Sequence, residues 1–171
     1  MKGTLYWITG LPGAGKTTLG KMLYKVLEKK SPNIVFYDGD MLRVILAEEE
    51  NYSLEERRKL SQKYSRFCKS ICDQNISIIF ATVSMFEDVR DWNRKYIENY
   101  IEIYIDVPDK ILQQRDQKNL YSDSMEGRRS DLIGVDQKAQ FPRNPDIHLI
   151  NDRPDSLQKL FDTLMTDLKL L

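Results

Sequence analysis

The chain has 171 residues, a length suited to one domain around one buried core, with 41% hydrophobic and 30% charged residues and only 8 Gly and 6 Pro, which excludes disorder, collagen-like repeats and fibrous arrays. Lys plus Arg equals Asp plus Glu, 26 against 26, so no net basic field draws it to nucleic acid or an anionic membrane, and any phosphate binding is local. Neither a signal-peptide pattern nor an apolar run of membrane-spanning length occurs, and two cysteines four residues apart build no disulfide framework, so a soluble cytoplasmic protein with reduced thiols is expected.

Residues 4–9 (TLYWIT) form an apolar, β-rich run that stops at Gly10 and reads as a buried strand. Leu19, Met22, Leu23, Val26 and Leu27 then fall at helical spacing, and Ser31-Pro32 ends that helix before a second strand at 34–37. Ser53-Leu54-Glu55-Glu56 is a capping-box pattern ahead of a long helix striped by Leu60, Tyr64, Phe67, Cys68 and Ile71. Residues 76–81 (ISIIFA) read as a third buried strand, and Ser84-Met85-Phe86-Glu87 repeats the capping-box pattern before a charged helix. A fourth strand covers 100–107, a short helix starts at Pro108, and a fifth strand covers 147–150, where the sole histidine, His148, is read in a packing role. Leu157, Leu160, Phe161, Leu164, Met165 and Leu168 mark the last helix. Strands alternating with helices predict an α/β fold: a parallel five-stranded sheet flanked by helices, as one domain over 1–171. Residues from about 117 to 145 are polar with little periodicity, and so long a stretch between packed elements reads as a lid over a site.

Gly10-Leu11-Pro12-Gly13-Ala14-Gly15-Lys16-Thr17 satisfies G-x-x-x-x-G-K-[ST] between a strand and an amphipathic helix, where a phosphate-binding loop must lie. Gly10, Gly13, Ala14 and Gly15 let backbone amides curl around phosphate oxygens, Lys16 reaches the β and γ phosphates, and Thr17, followed by Thr18, offers a hydroxyl to Mg²⁺. ATP and Mg²⁺ are the expected cofactors. A GTPase would need an N-K-x-D motif, which is absent, and the D-x-x-G spelled by Asp131 to Gly134 falls in the lid region. A motor or transporter ATPase would end an apolar strand in an acidic residue, whereas 76–81 runs on to Val83-Ser84. Asp38-Gly39-Asp40 follows the second strand instead, so two carboxylates face the phosphate loop, although Asp is also a favoured turn and N-cap residue there. A phosphate loop, acids at a neighbouring strand tip and a lid describe a P-loop kinase acting on a small molecule. A nucleotide-binding regulator without chemistry is the competing class.

With these motifs, DGDMLR (38–43), QRDQKNLY (114–121), GVD (134–136) and NPD (144–146) in order, the chain resembles the adenylylsulfate kinase family over nearly its whole length. That resemblance implies transfer of the γ-phosphate of ATP to the ribose 3′-hydroxyl of adenosine 5′-phosphosulfate, and it suggests a homodimer. It implies that Lys16, Asp40 and Arg115 are catalytic, with Asp40 activating the hydroxyl. Asp38, Arg43, Tyr52, Arg57, Ser84, Lys118 and Leu132 would meet the acceptor, with Arg43 and Arg57 on its 5′ anionic groups, Tyr52 stacking on its base, and Lys118 with Arg115 opening the lid. Ser84 also reads as a helix N-cap, and Arg57 as part of a solvated face. Departures fall where the family reads its acceptor. Leu60 replaces an asparagine, Gln62 and Lys63 stand among changed basic positions, Glu87 replaces an arginine, and Leu132 replaces an aromatic expected to stack on adenine. One aromatic and one aliphatic wall suit a smaller base. The resemblance therefore favours cytidine diphosphoramidate, the acceptor of a divergent branch in bacterial capsule phosphoramidate synthesis, over adenosine 5′-phosphosulfate.

Overall fold

The computed structural model describes residues 2–46, 53–153 and 157–170. Five strands run parallel in the order β2-β3-β1-β4-β5: β1 (Thr4–Thr9), β2 (Ile34–Asp38), β3 (Ser77–Thr82), β4 (Asn99–Asp106) and β5 (Ile147–Ile150). The three inner strands are rich in β-branched and aromatic residues, and Leu5, Trp7, Ile8, Ile78, Ile79, Phe80 and Ile103 have no exposed surface. Trp7 stacks on Phe80 with 5.2 Å between ring centroids, and Tyr64 packs on the same phenyl ring. Helix α1 (Lys16–Lys30) lies against one face of the sheet with α7 (Leu157–Asp167), while α3 (Leu54–Cys72) and α4 (Glu87–Tyr96) cover the other. Gly20 lets α1 approach closely, since a Cβ there would sit 2.7 Å from the Phe36 ring.

The Ser53 capping box opens α3 as its pattern predicts: Ser53 Oγ accepts from the Glu56 amide and Glu56 Oε2 accepts from the Ser53 amide. The same pattern at Ser84 misleads. Helix α4 begins at Glu87 with Phe86 at its cap position, and the Glu87 amide donates to Gln140 Oε1, so Ser84 caps nothing. Buried Met85 and Phe86 carry the chain into the core before the helix can start, which a spacing rule does not see. Strand β5 is an edge strand with alternating exposure, and His148 is half exposed, stacked on Tyr104 and paired with Asp106 rather than packed in the core. Cys68 and Cys72 are free and buried, and burial pushes both thiols up, Cys72 to about 11.

Helix α5 (Asp109–Arg115) leads into the expected lid region, which is more ordered than its polarity suggested. A 3₁₀ turn (Gln117–Asn119) is followed by α6 (Leu120–Met125), too short to show a period in sequence. It is nucleated by Asp116, whose Oδ1 accepts from the amides of Tyr121 and Ser122. Leu132 and Ile133 are buried farther along, and Tyr121 donates its hydroxyl to Pro12 O at 2.8 Å, so this segment lies down on the phosphate loop.

Candidate active site

All five strands point their carboxyl ends the same way, and the site lies there, as it does in open parallel sheets generally. The turn from β1 into α1 carries the glycine-rich loop. Gly15 takes φ 95°, a left-handed conformation that favours glycine, and it caps α1 so that the helix amides face outward. Lys16 is nearly buried and donates to Leu11 O at 2.8 Å. Burial pushes its pKa down to about 7, partly countered by the charge of Asp40. Thr17 Oγ1 donates to Asp38 Oδ2 at 3.3 Å. Asp38 also caps α2 (Gly39–Ile45) by accepting from the Met41 amide, so its turn role and its place beside the loop coexist.

A cavity of about 690 Å³ opens over this loop. On the loop side its lining includes Gly13, Gly15, Lys16, Thr17, Thr18 and Arg115, and Gly10 and Ala14 complete the loop behind. On the far side Asp38, Asp40, Arg43, Arg57, Ser84, Lys118 and Leu132 converge from α2, α3, the end of β3 and the lid segment. The structure thus brings together every described residue of the expected acceptor site; Tyr52 lies outside the described residues. Asp40 is exposed and sits between two cations, Arg43 at 3.2 Å and Lys118 at 3.2 Å. Arg57 is no solvated-face residue: it pairs with Asp131 of the lid. Leu60 follows Arg57 one helical turn on, and both Leu60 and Leu132 are buried in the cavity wall. Ser84 is buried at 3% exposure, and its hydroxyl finds no hydrogen-bond partner among the described residues. Glu87 does not line this cavity and instead faces Arg143 at 3.6 Å.

Arg115 holds the loop from behind, donating to Gly13 O, Asn151 Oδ1 and Arg153 O. Asn151, which the sequence reading missed, donates to Ala14 O at 3.1 Å and is buried. A polar residue just after β5, at the carboxyl edge of the sheet, was its only signal. Arg129 and Asp131 were missed as well, because lid charges give no hint of which way they point.

A parallel sheet with its phosphate loop after the first strand, two aspartates at and just beyond the end of β2, which lies one strand away across β3 rather than beside β1 as expected, and a segment folded over the cavity define a P-loop kinase. Residues 2–150 match the family model described as adenylylsulphate kinase. Cytidine diphosphoramidate kinase of Campylobacter jejuni is 37% identical, covering 99% of this chain and all of that one. A probable adenylyl-sulfate kinase of Archaeoglobus fulgidus is 35% identical over 87% of this chain and 96% of its own. Among solved structures, the Mycobacterium tuberculosis APS kinase in complex with AMPPNP and APS superposes with a TM-score of 0.86 at 27% identity, covering 98% of both chains. Shikimate kinase from Aquifex aeolicus, at 17% identity and a TM-score of 0.62, shares the fold. The chain belongs to the adenylylsulfate kinase family and is an ATP-dependent kinase.

Proposed function

We propose that this kinase transfers the γ-phosphate of ATP to the ribose 3′-hydroxyl of cytidine diphosphoramidate. One observation carries the reading: the acceptor half of the cavity keeps Asp40 and the cations Arg43, Arg57 and Lys118, but the aliphatic Leu60 and Leu132 stand in its wall alongside Tyr64 and Phe86. An aliphatic Leu132 loses the stacking that an extended purine gains from an aromatic side chain at that position, whereas a pyrimidine has less π surface to lose. The full-length similarity to a cytidine diphosphoramidate kinase supports the same choice.

Asp40, in the first turn of α2, lines the cavity with the loop and accepts the proton of the attacking hydroxyl. Lys16 draws off charge from the β and γ phosphates once they displace its contact to Leu11 O. The ring of loop amides fixes the phosphate chain in line with the acceptor. Thr17 Oγ1 and Asp38 Oδ2, 3.3 Å apart, are hard oxygen donors of the kind Mg²⁺ takes alongside phosphate oxygens and water, so the residues fit that ion. Mg²⁺ would supply charge neutralisation on the transferring phosphoryl group.

The test measures ADP release with ATP, Mg²⁺ and each acceptor in turn. A kcat/KM higher for cytidine diphosphoramidate than for adenosine 5′-phosphosulfate is expected. The reverse order would assign the chain to adenylylsulfate phosphorylation, the reading that its other relatives favour. No acceptor-stimulated ADP from any nucleotide, with ATP still bound, would leave a regulator.

A further inference from the structure

Where the lid meets α3, Arg57 joins a charged cluster whose other members, Arg129 and Asp131, the phosphoryl-transfer chemistry above does not use. Asp131 Oδ1 accepts from Arg129 Nε at 2.8 Å and faces Arg129 Nη2 at 2.7 Å, while Asp131 Oδ2 accepts from Arg57 Nη2. Lid and α3 meet through this carboxylate, and all three side chains line the acceptor side of the cavity next to Leu60 and Leu132. Burial pushes the Asp131 carboxyl up, but the hydrogen bonds and charges of Arg129 and Arg57 outweigh it and hold it below the usual carboxylate range. It is therefore ionised at neutral pH and can only accept hydrogen bonds. Two guanidiniums alone would present a doubly positive surface suited to a fully anionic group; with Asp131 between them the surface is singly positive and offers acceptor and donor atoms side by side.

We propose that Asp131 is a specificity-determining residue, whose carboxylate, held between Arg57 and Arg129, selects acceptors whose terminal group carries an N–H donor over acceptors that end in oxygens alone. A sulfate or phosphate terminus brings lone pairs and negative charge against a carboxylate, which repels both. A terminal phosphoramidate turns its nitrogen's protons toward Asp131 and its oxygens toward the guanidiniums. Ions in a cavity wall pair with the charged end of an acceptor rather than with its neutral base. This deepens the acceptor reading above and rests on it for the base and for the phosphoramidate terminus, while the part played by Asp131 is tested separately.

The experiment uses four acceptors with the intact enzyme: the 5′-diphosphates of cytidine and adenosine, and the terminal phosphoramidate of each. The nitrogen-to-oxygen ratio of kcat/KM reads Asp131, and the cytidine-to-adenosine ratio reads the base. Wild-type enzyme should favour nitrogen about ten- to a hundredfold, the size of a charge-assisted hydrogen bond. Asp131→Asn should lower that ratio at least fivefold while the base ratio stays put, and Asp131→Glu should retain the preference. Asp131→Gly should gain activity on the plain diphosphates, an outcome that a damaged fold cannot produce. A nitrogen-to-oxygen ratio that is near one in the wild type, or unmoved by Asp131→Asn and Asp131→Gly, overturns the proposal, as does a shift in the base ratio alone. An adenine preference with an Asp131-dependent nitrogen ratio would overturn the base assignment and leave this inference standing.

Discussion

Lys16 is held in a site that is costly for a charged amine until a phosphate arrives. Its folded pKa of about 7 lies below the ordinary lysine value of 10.5, so the unfolded chain carries a proton between those limits that the folded chain lacks. The burial penalty is thus complete below pH 7, and stability gains as pH rises from about 7 toward 10.5. Ligand-free Lys16→Met should melt above the wild type at pH 6, and the gap should narrow across that window; a constant gap would show that Lys16 is not penalised. Phosphate binding restores the charge, so calorimetry at pH 8 in buffers of different ionisation heat should show about one proton taken up per ATP bound by the wild type and none by Lys16→Met. Asp40 is proposed to act on the acceptor instead. Asp40→Asn keeps its shape but cannot take a proton, and kcat should fall about 10²- to 10⁴-fold with ATP affinity little changed. The lower end is expected where the transition state is loose, and near-full turnover would remove Asp40 from the role of base.

The lid segment is the element on which the site depends. Its root holds three non-glycine residues in the left-handed region, Asp116 (φ 31°), Lys118 (φ 59°) and Asn119 (φ 56°), a conformation that persists only where neighbouring contacts impose it. The contacts that hold the segment include Tyr121 to Pro12 O, Asp116 to the first amides of α6, Lys118 to Asp40, Asp131 to Arg57, and Gln140 to Met85 O. Two of them end on groups that ligands are expected to engage, so ligand binding and lid position are coupled. Hydrogen exchange over residues 117–145 should slow when an unreactive ATP analogue and acceptor are both present, while the amides of β1 and β3 stay unchanged. Equal exchange in all states would mean that the segment is a fixed wall. Helix α3 contributes from the opposite side: Arg57, Leu60, Ser61 and Tyr64 follow helical spacing onto the cavity, and Tyr64 ties it to Gly39 O at 3.2 Å.

At the scale of the whole molecule, the sheet has a polar centre away from the site. Glu102 of β4 is 3% exposed and faces Arg90 and Arg94 of α4, with Arg90 at 5% exposure. Removing one member of a buried pair leaves a charge with no water around it, which typically costs about 3–5 kcal/mol. Glu102→Ala should therefore lower stability in urea unfolding by about that amount, with kcat/KM at 25 °C unchanged because the pair lies outside the cavity wall; a loss below about 1 kcal/mol would mean that solvent reaches Arg90. None of the helices among the described residues is long and apolar enough to cross a membrane.

What could be read directly from the chain was local. The strand, glycine loop and helix from Thr4 to Lys30 are contiguous, so period, turn residues and motif agree before any tertiary contact forms, and nucleotide binding followed from them, the kinase class needing Asp38, Asp40 and the lid segment besides. The Ser53 capping box and the five strands were legible for the same reason, as each depends on residues a few positions apart. Tertiary structure alone decided the rest. Ser84 matched a helix-cap spacing yet lies buried in the cavity, because the core claims Met85 and Phe86 first. Arg57 and Asp131 meet across 74 residues, and Asn151 reaches the loop residue Ala14 across 137. Such pairings carry no periodic signal: they arise only when the parallel sheet brings its carboxyl ends together and the lid folds across them.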